Sequence, residues 1–261
     1  MDPLIPHGLF GRALARLPII ASAALVAVAL VTFPEHPIVA ACLLAVACGA
    51  LIPPIIARVR FRRLLLSGDV QRVLAAWRRS LQGAPHAEAA EPLMSAIAFA
   101  AYGWVDEARA QLQRARFQSE GIPNVEHLLF VETLVEAFDG DRDQAMESAN
   151  TIAALPIPNV GTRLQRRVLV LRASLVALTR AFAHRARAGD LEILEHVAHS
   201  SPLVSWAMRY AAAIVAIDRN ELARARALIE DAPSWPEQSA FRSFQAEIEG
   251  LLAPHSASTP P

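Results

Sequence analysis

Two long apolar runs near the beginning of the chain are its strongest hydrophobic signal. Residues 17–33 carry no charged side chain, and after the polar interruption at 34–37 a second run, 38–57, carries none either. A helix rises about 1.5 Å per residue, so each run is near the length needed to cross a hydrocarbon core of about 30 Å. Because a helix in lipid satisfies its own backbone hydrogen bonds, the pattern predicts a transmembrane hairpin over 17–57, with spans 17–33 and 38–57.

Beyond residue 57 the apolar spacing changes to that of amphipathic helices separated by short breaks. Apolar side chains recur at three- and four-residue intervals, and no window alternates apolar and polar residues as a strand would. The expected fold class is therefore all-α. The predicted helices are 69–82, 88–102, 104–119, 124–139, 141–154, 160–187, 190–200, 203–217, 220–231 and 237–252. The helix over 160–187 is long for this set, and we expect it to overhang or kink.

Glycine or asparagine recurs between the predicted helices at intervals of between 31 and 49 residues. These residues suit helix ends, where the chain needs a positive φ. The turn positions are Gly68, Gly103, Gly140, Gly189 and Asn220. Such spacing favours repeated helix pairs.

Small residues around Gly103 carry a family resemblance. Ala96 and Phe99 precede this turn, and an Asp-Glu-Ala sequence opens the helix that follows it. The unit resembles the tetratricopeptide repeat (TPR) family, and residues 213–233 match that family in the same way. The resemblance covers roughly 68–252. It implies an α-solenoid of antiparallel helix pairs, with a concave surface for a helix or an extended segment of a protein partner.

The pattern divides the chain into four parts. No Gly- or Ser-rich linker follows residue 57, so the second span is expected to continue as a helix to Ser67, after a kink at Pro53-Pro54. The last residues are rich in Ser and Pro, which is typical of disorder. The expected parts are an interfacial segment 1–16, the hairpin 17–57, a TPR-like helical domain 58–252 and a disordered tail 253–261.

The arginines indicate an orientation. They flank both outer ends of the hairpin, whereas the turn between the spans carries Glu35 and no Arg. The positive-inside bias then places both termini in the cytoplasm. A secretory signal is the alternative explanation of the first run, but a second full-length run follows after only four residues, which favours a retained hairpin.

All 25 basic residues are Arg, and with the abundance of Ala this favours a GC-rich bacterial genome. We therefore expect a multi-pass inner-membrane protein with a cytoplasmic soluble domain.

A row of small residues lies within the second span. Ala41, Ala45 and Gly49 recur every four residues, a spacing that lets helix backbones approach closely. The row could hold the hairpin shut or mediate homo-oligomers, and chance in an Ala-rich chain is the alternative. Cys42 and Cys48 point about 120° apart on a helix and are interpreted as packing residues.

One cluster has spacing like that of metal ligands. Carboxylates and imidazoles at 192–199 share one helical face: Glu192, Glu195, His196 and His199. The alternative is that they form the solvated side of an amphipathic helix whose buried side is Leu194, Val197 and Ala198. We predict the second, and hence no metal, catalytic or cofactor-binding residues and no cofactor. The chain contains none of G-x-S-x-G, the P-loop or H-E-x-x-H, so an enzyme is not expected.

Charge is unevenly distributed along the helical part. The stretch 163–187 has seven Arg and no acid, whereas 126–147 has seven acids and one Arg. Helices of opposite sign are expected to pack side by side and neutralise each other, and a basic face for anionic lipid headgroups or an acidic partner is the alternative. Residues 64–261 hold 19 Arg against 23 acids, so nucleic acid is not an expected partner.

These observations favour a membrane-anchored scaffold or adaptor that recruits protein partners through its repeats. The alternative is a structural subunit of a larger membrane assembly, held through the small-residue row. A metal-dependent enzyme using the 192–199 cluster is the remote third hypothesis. The expected partners are a protein and the lipid bilayer, the latter through 17–57.

Overall fold

The computed structural model describes residues 22–81, 87–118, 125–157 and 161–253. Within these ranges every regular element is helical, which confirms the predicted all-α class. The chain divides into two compact units between Leu64 and Leu65. The predicted segment 1–16, residues 17–21 of the first span and residues 254–261 of the tail lie outside the described residues.

The first unit holds two apolar helices joined by a short turn. Helix α1 is Ser22–Thr32 and α2 is Pro37–Leu66, whose last two residues belong to the second unit. The predicted turn is present, because the chain leaves the helical conformation over 33–36. Among the described residues, α2 is the one helix long and apolar enough to cross a membrane. It continues without interruption through Pro53 and on to Leu66, so the predicted helical exit from the apolar run is confirmed.

Small side chains are buried within the first unit. Ser22 and Ala29 of α1 and Ala40 and Ala47 of α2 are each at most 1% exposed. The Ser22 hydroxyl donates to the Ala47 carbonyl oxygen at 3.5 Å. These residues repeat every seven positions on each helix, so each set keeps to one face.

The predicted small-residue row does not hold this pair of helices together. Ala41, Ala45 and Gly49 are exposed, and a Cβ added at Gly49 would have no neighbour within 4 Å. These exposures exclude one of the alternatives for the row, that it holds the hairpin shut. The reason is rotational, because Ala41 lies about 100° around the helix from the buried Ala40.

The second unit is a succession of ten α-helices and one 3₁₀ turn within the described residues. Their bounds agree with the sequence prediction to within three residues, apart from the C-terminal end of α8. The elements are α3 Val70–Leu81, α4 Ala87–Ala101, α5 Val105–Gln118, α6 Val125–Asp139, α7 Arg142–Ala154, α8 Thr162–Phe182, α9 Asp190–Ser200, the 3₁₀ turn Pro202–Val204, α10 Ser205–Asp218, α11 Leu222–Ile229 and α12 Ala240–Leu252.

Each helix of the second unit from α3 to α11 packs against the helix that follows it in the chain, and the contacts are most extensive between α4 and α5, α6 and α7, and α9 and α10. Alternate helices also contact each other, so α4, α6, α8 and α10 form one layer. Alanines make the close approach possible: Ala96, Ala108, Ala145 and Ala149 are each at most 1% exposed.

Helix α8 ends five residues earlier than predicted. The prediction of a helix to residue 187 is wrong because His184 adopts a left-handed conformation, with φ of 53°. The Arg185 amide then donates to the Arg180 carbonyl oxygen at 2.8 Å, which closes the helix end. His184 also contacts Asp218 at the end of α10. This contact joins residues 34 positions apart, and local sequence cannot reveal it.

After α11 the chain returns to the beginning of the second unit. The Ser239 hydroxyl donates to the Tyr102 carbonyl oxygen at 2.7 Å, and the Ala240 amide donates to the Gly103 carbonyl oxygen at 2.8 Å. These bonds tie the start of α12 to the turn between α4 and α5. The first and last helices of the layer are therefore linked through the C-terminal segment.

Candidate functional site

Helix α12 places an apolar face against the layer of α6, α8 and α10. Its buried or half-buried side chains, Phe241, Phe244, Ile248 and Leu252, follow a helical stripe. The ring of Phe241 lies 5.2 Å from Phe138 and 5.0 Å from Tyr210, measured between centroids.

Phe244 extends this contact to α8, because its ring centroid lies 5.1 Å from that of Phe182. Aromatic pairs at these separations are each worth about 0.5–1.5 kcal/mol beyond the area that they bury. Helix α12 of the chain itself therefore covers part of the surface of α6, α8 and α10. The packing leaves clefts along the sides of α12.

One cleft of about 350 Å³ lies between α12 and the C-terminal ends of α6, α8 and α10. Its walls are mainly apolar, which suits a bulky hydrophobic group. The apolar lining includes Phe138, Phe182, Ile214, Ile217, Phe244 and Leu251. Leu251 remains 54% exposed, so the cleft is open at the end of α12.

Four charged or titratable side chains line the rim of this cleft: Arg142, His184, Asp218 and Glu247. His184 Nδ1 lies 3.0 Å from one carboxylate oxygen of Asp218 and 3.1 Å from the other. In the neutral imidazole this contact places the proton on Nδ1, so Nε2 is the acceptor. The rim can thus accept one hydrogen bond at His184 and donate several from Arg142.

A second cleft, of about 500 Å³, lies on another side of α12 and is more polar. Its carboxylates are largely paired: Arg109 donates to Asp139 at 2.7 Å and Arg242 to Glu237 at 3.0 Å. Because those groups already have partners, a ligand there would compete with existing ion pairs. The apolar cleft is therefore the stronger candidate.

Trp206 and Trp235 contribute both packing and hydrogen bonds, whereas the buried Nε1 groups of Trp77 and Trp104 have no hydrogen-bond partner among the described residues. Trp235 donates from Nε1 to the Tyr210 hydroxyl oxygen at 2.6 Å, and that hydroxyl donates to Gln245 Oε1 at 3.3 Å. Burial raises the pKa of Tyr210, so its phenol stays protonated. Trp206 donates from Nε1 to the Leu66 carbonyl oxygen at 2.9 Å.

The 192–199 cluster lies on an outer surface of α9. The Glu195 carboxylate forms a two-pronged ion pair with Arg224 of α11, at 2.7 and 2.6 Å. His196 and His199 are exposed, whereas Leu194, Val197 and Ala198 are buried, so the predicted amphipathic pattern is confirmed. In the described part of the chain, no group of three His, Cys, Asp or Glu side chains could hold a metal ion.

Neutralisation between the acidic and basic stretches is partial. Arg172 pairs with Glu126 at 2.9 Å and is only 4% exposed, which confirms one contact of the predicted kind. Arg180 instead pairs with Asp190 at 3.6 Å. Arg166 remains exposed. The arginines of the α2 exit, at 58, 60, 62 and 63, are exposed as well.

No protein-family model, curated protein or solved structure matches the chain. The cleft beside α12 was not among the sequence-based candidates. Its apolar residues come from four helices, of which the first and the last contribute residues more than 100 positions apart. Each residue is an ordinary member of an amphipathic pattern. The left-handed His184 has no sequence signal of its own, since glycine or asparagine is usual at such a position.

Proposed function

We propose that the protein is a non-enzymatic scaffold, anchored in a bacterial inner membrane, which recruits a protein partner through a TPR-like α-solenoid. The observation that carries the anchoring is α2. Only 12% of its most apolar window is buried, whereas the core helix of a soluble protein is mostly buried. With α1 it would form a transmembrane hairpin whose apolar side chains face lipid.

The outward-facing apolar side chains of the first unit support this assignment. In water they would leave a large apolar surface unpaired, which soluble monomers rarely do. Those at least 39% exposed are Val28, Leu30, Val31, Phe33, Ile38, Val39, Leu44, Val46, Ile52, Ile55, Ile56 and Val59. Alkaline extraction tests the anchoring: the protein should stay in the membrane pellet, and release into the supernatant would contradict it.

Topology follows from the arginine distribution. Both termini are proposed to be cytoplasmic, so a cytoplasmic reporter fused after Pro261 should be active. An active periplasmic reporter at the same position would contradict the multi-pass topology.

The cleft beside α12 supports the proposal of a protein partner. Its volume suits one or two bulky apolar side chains, and its rim offers both a donor and an acceptor. A helix or an extended segment with an exposed apolar anchor is the fitting ligand. The absence from the chain of the catalytic motifs considered above supports a binding role rather than an enzymatic one.

Affinity purification in mild detergent tests recruitment. Leu251→Glu places a charge in the cleft, and its matched control Leu222→Glu changes a leucine that is 40% exposed on α11, away from the cleft. The wild type and the control should retain a common partner that the Leu251 variant loses. Equal recovery from all three proteins would exclude the cleft as the binding site.

A structural subunit of a larger membrane assembly is the second candidate. The exposed row Ala41, Ala45 and Gly49 favours it, since no neighbour meets a Cβ added at Gly49. Such a row allows another helix to approach closely. Co-purified integral subunits that Gly49→Leu displaces would favour this candidate over the scaffold.

A further inference from the structure

We propose that the cleft beside α12 selects an aromatic side chain that carries a hydrogen-bond donor, such as tryptophan, and that His184 makes the selection. The inference rests on the proposed binding role of this cleft and adds the chemistry of the partner's anchor. Aromatic walls, a fixed acceptor nitrogen and unpaired charges on the rim together define such a ligand.

Three phenylalanines form much of the apolar wall of the cleft. Phe138 and Phe182 are 7% and 8% exposed. With Phe244 they form a group of rings whose centroids lie between 5.1 and 5.9 Å apart. A flat ring that enters the cleft can extend this group through edge-to-face contacts, the geometry that aromatic pairs favour. The walls therefore favour a planar aromatic anchor over a branched aliphatic one.

His184 occupies a backbone position at which glycine is usual. Its φ is 53°, in the left-handed region that glycine adopts without strain. Glycine or asparagine holds the positive φ after α2, α4, α6 and α10, at Gly68, Gly103, Gly140 and Asn220. A glycine at 184 would end α8 equally well, so the helix end alone does not require an imidazole. A strained residue at the rim of a cleft indicates a use for its side chain.

Asp218 holds one edge of the imidazole ring and leaves the other edge free. In the neutral ring the proton is on Nδ1, which donates to Asp218, so Nε2 is an acceptor. Nε2 makes no hydrogen bond with any described residue. The His184 side chain is 56% exposed and lines the cleft. An anchor with an N–H group can donate to Nε2, whereas an aliphatic anchor that covered Nε2 would remove its water and replace no hydrogen bond.

Two further charges on the rim have no ion-pair partner within the described part of the chain. Arg142 is the first residue of α7 and Glu247 lies on α12, and both side chains are exposed. One is a cation and the other an anion. The complementary ligand is therefore a protein segment with a charge of each sign beside its aromatic anchor, rather than a free apolar molecule.

The test uses the full chain in detergent and a defined probe, the N-acetyl amide of 5-fluorotryptophan. Its 1-methyl derivative is the matched analogue, because the methyl group removes the N–H donor and keeps the ring. Binding is measured from the broadening of the fluorine NMR line. Leu251→Glu, which places a charge in the cleft, is titrated in parallel, so that partition of each probe into detergent is subtracted. Leu222→Glu, away from the cleft, is the control for that variant.

We expect the wild type to bind the N–H probe about fivefold more tightly than the 1-methyl derivative, the ratio that one net hydrogen bond gives. His184→Gly suits the left-handed backbone and should bind the two probes equally. His184→Asn is the second variant, since asparagine also tolerates this conformation, and its shorter side chain should lose the preference too. Leu222→Glu should behave as the wild type.

A preference for the N–H probe that persists in both His184 variants would overturn the proposal, because it would leave His184 with a structural role alone. Equal affinity of the wild type for the two probes, or no binding of either, would overturn it as well. Photo-crosslinking from Leu251 separates this inference from the proposed function. If a protein partner is still captured there, only the selection of an aromatic donor fails and the binding role of the cleft stands.

Discussion

The Tyr102 hydroxyl donates a hydrogen bond to the Leu65 carbonyl oxygen at 2.7 Å. The last carbonyl groups of a helix have no partner within the helix, and here they belong to the end of α2. Trp206 supplies the second partner, to Leu66. Two aromatic side chains, Tyr102 in the turn after α4 and Trp206 in α10, therefore donate hydrogen bonds to the last carbonyl groups of α2.

Tyr102→Phe should destabilise the second unit. The substitution keeps the ring and leaves the buried Leu65 carbonyl oxygen without its donor, which costs about 1–3 kcal/mol. Thermal unfolding in detergent, followed by tryptophan fluorescence, should show a lower midpoint. Ser243→Ala is the control, since it removes an exposed hydroxyl that bonds only within its own turn, and its midpoint should stay close to that of the wild type. An unchanged midpoint for the Tyr102 variant would show that the bond adds nothing.

Gly68→Ala and Gly140→Ala separate backbone strain from steric overlap. Both glycines have a positive φ, 75° and 95°, so both variants pay a similar conformational cost of about 1 kcal/mol. A Cβ at Gly68 would also lie 2.7 Å from Pro233 Cγ, whereas at Gly140 nothing lies within 4 Å. The Gly68 variant should therefore have the lower unfolding midpoint. Equal midpoints would mean that the C-terminal segment does not rest on the Gly68 turn.

Arg172→Met should cost about 2–4 kcal/mol of unfolding free energy. Methionine fills a similar volume but leaves the Glu126 carboxylate and two carbonyl oxygens without their charged donor. Arg166→Met changes an exposed arginine of the same helix and should stay within about 0.5 kcal/mol. Denaturant titration of both variants measures the difference. An equal loss of unfolding free energy in both variants would show that the buried contacts of Arg172 do not contribute to stability.

Glu136 makes stability depend on pH in a defined direction. Burial is the main cause that raises its pKa above the ordinary value of 4.5, and Glu132, Asp141 and Glu147 add to the rise while a hydrogen bond from Ser148 opposes it. The folded protein therefore binds this proton more tightly than the unfolded chain does. As pH rises through the interval between 4.5 and the raised pKa, the unfolding free energy falls.

Glu136→Gln should consequently be more stable than the wild type at neutral pH and lose that advantage below about pH 4.5, where both forms carry a neutral side chain. Glutamine can still accept from the Ser148 hydroxyl, which lies 2.8 Å from the glutamate. Unfolding midpoints measured from pH 4 to 8 give the difference. An advantage that persists unchanged in acid would contradict a protonation effect.

Helix positions could be predicted well from the sequence because they depend on local information. The prediction over 124–139 is confirmed by α6 at Val125–Asp139, since apolar periodicity defines the helix and Gly140 ends it. The interval 190–200 is matched by α9 for the same reason. In both helices the buried side chains are mainly the apolar ones that recur at helical spacing in the sequence.

Contacts between distant segments could not be predicted. The Ser239 bond to Tyr102 joins residues 137 positions apart, and nothing in either local sequence distinguishes it from an ordinary turn. The cleft beside α12 depends on that return of the chain. Likewise, the buried Ala40 and the exposed Ala41 differ only in rotation about α2, and the facing helix decides which alanine is used.

The proposed function requires the cleft beside α12 to hold a protein partner at the membrane. Site-specific photo-crosslinking in intact membranes tests this most directly, with a photoreactive amino acid at Leu251 and, in the control, at Leu222. We expect one dominant crosslinked protein from Leu251 and no such product from Leu222. The substitution Ile217→Glu, on the opposite wall of the cleft, should abolish the product from Leu251. No product from Leu251, or the same product from both positions, would contradict it.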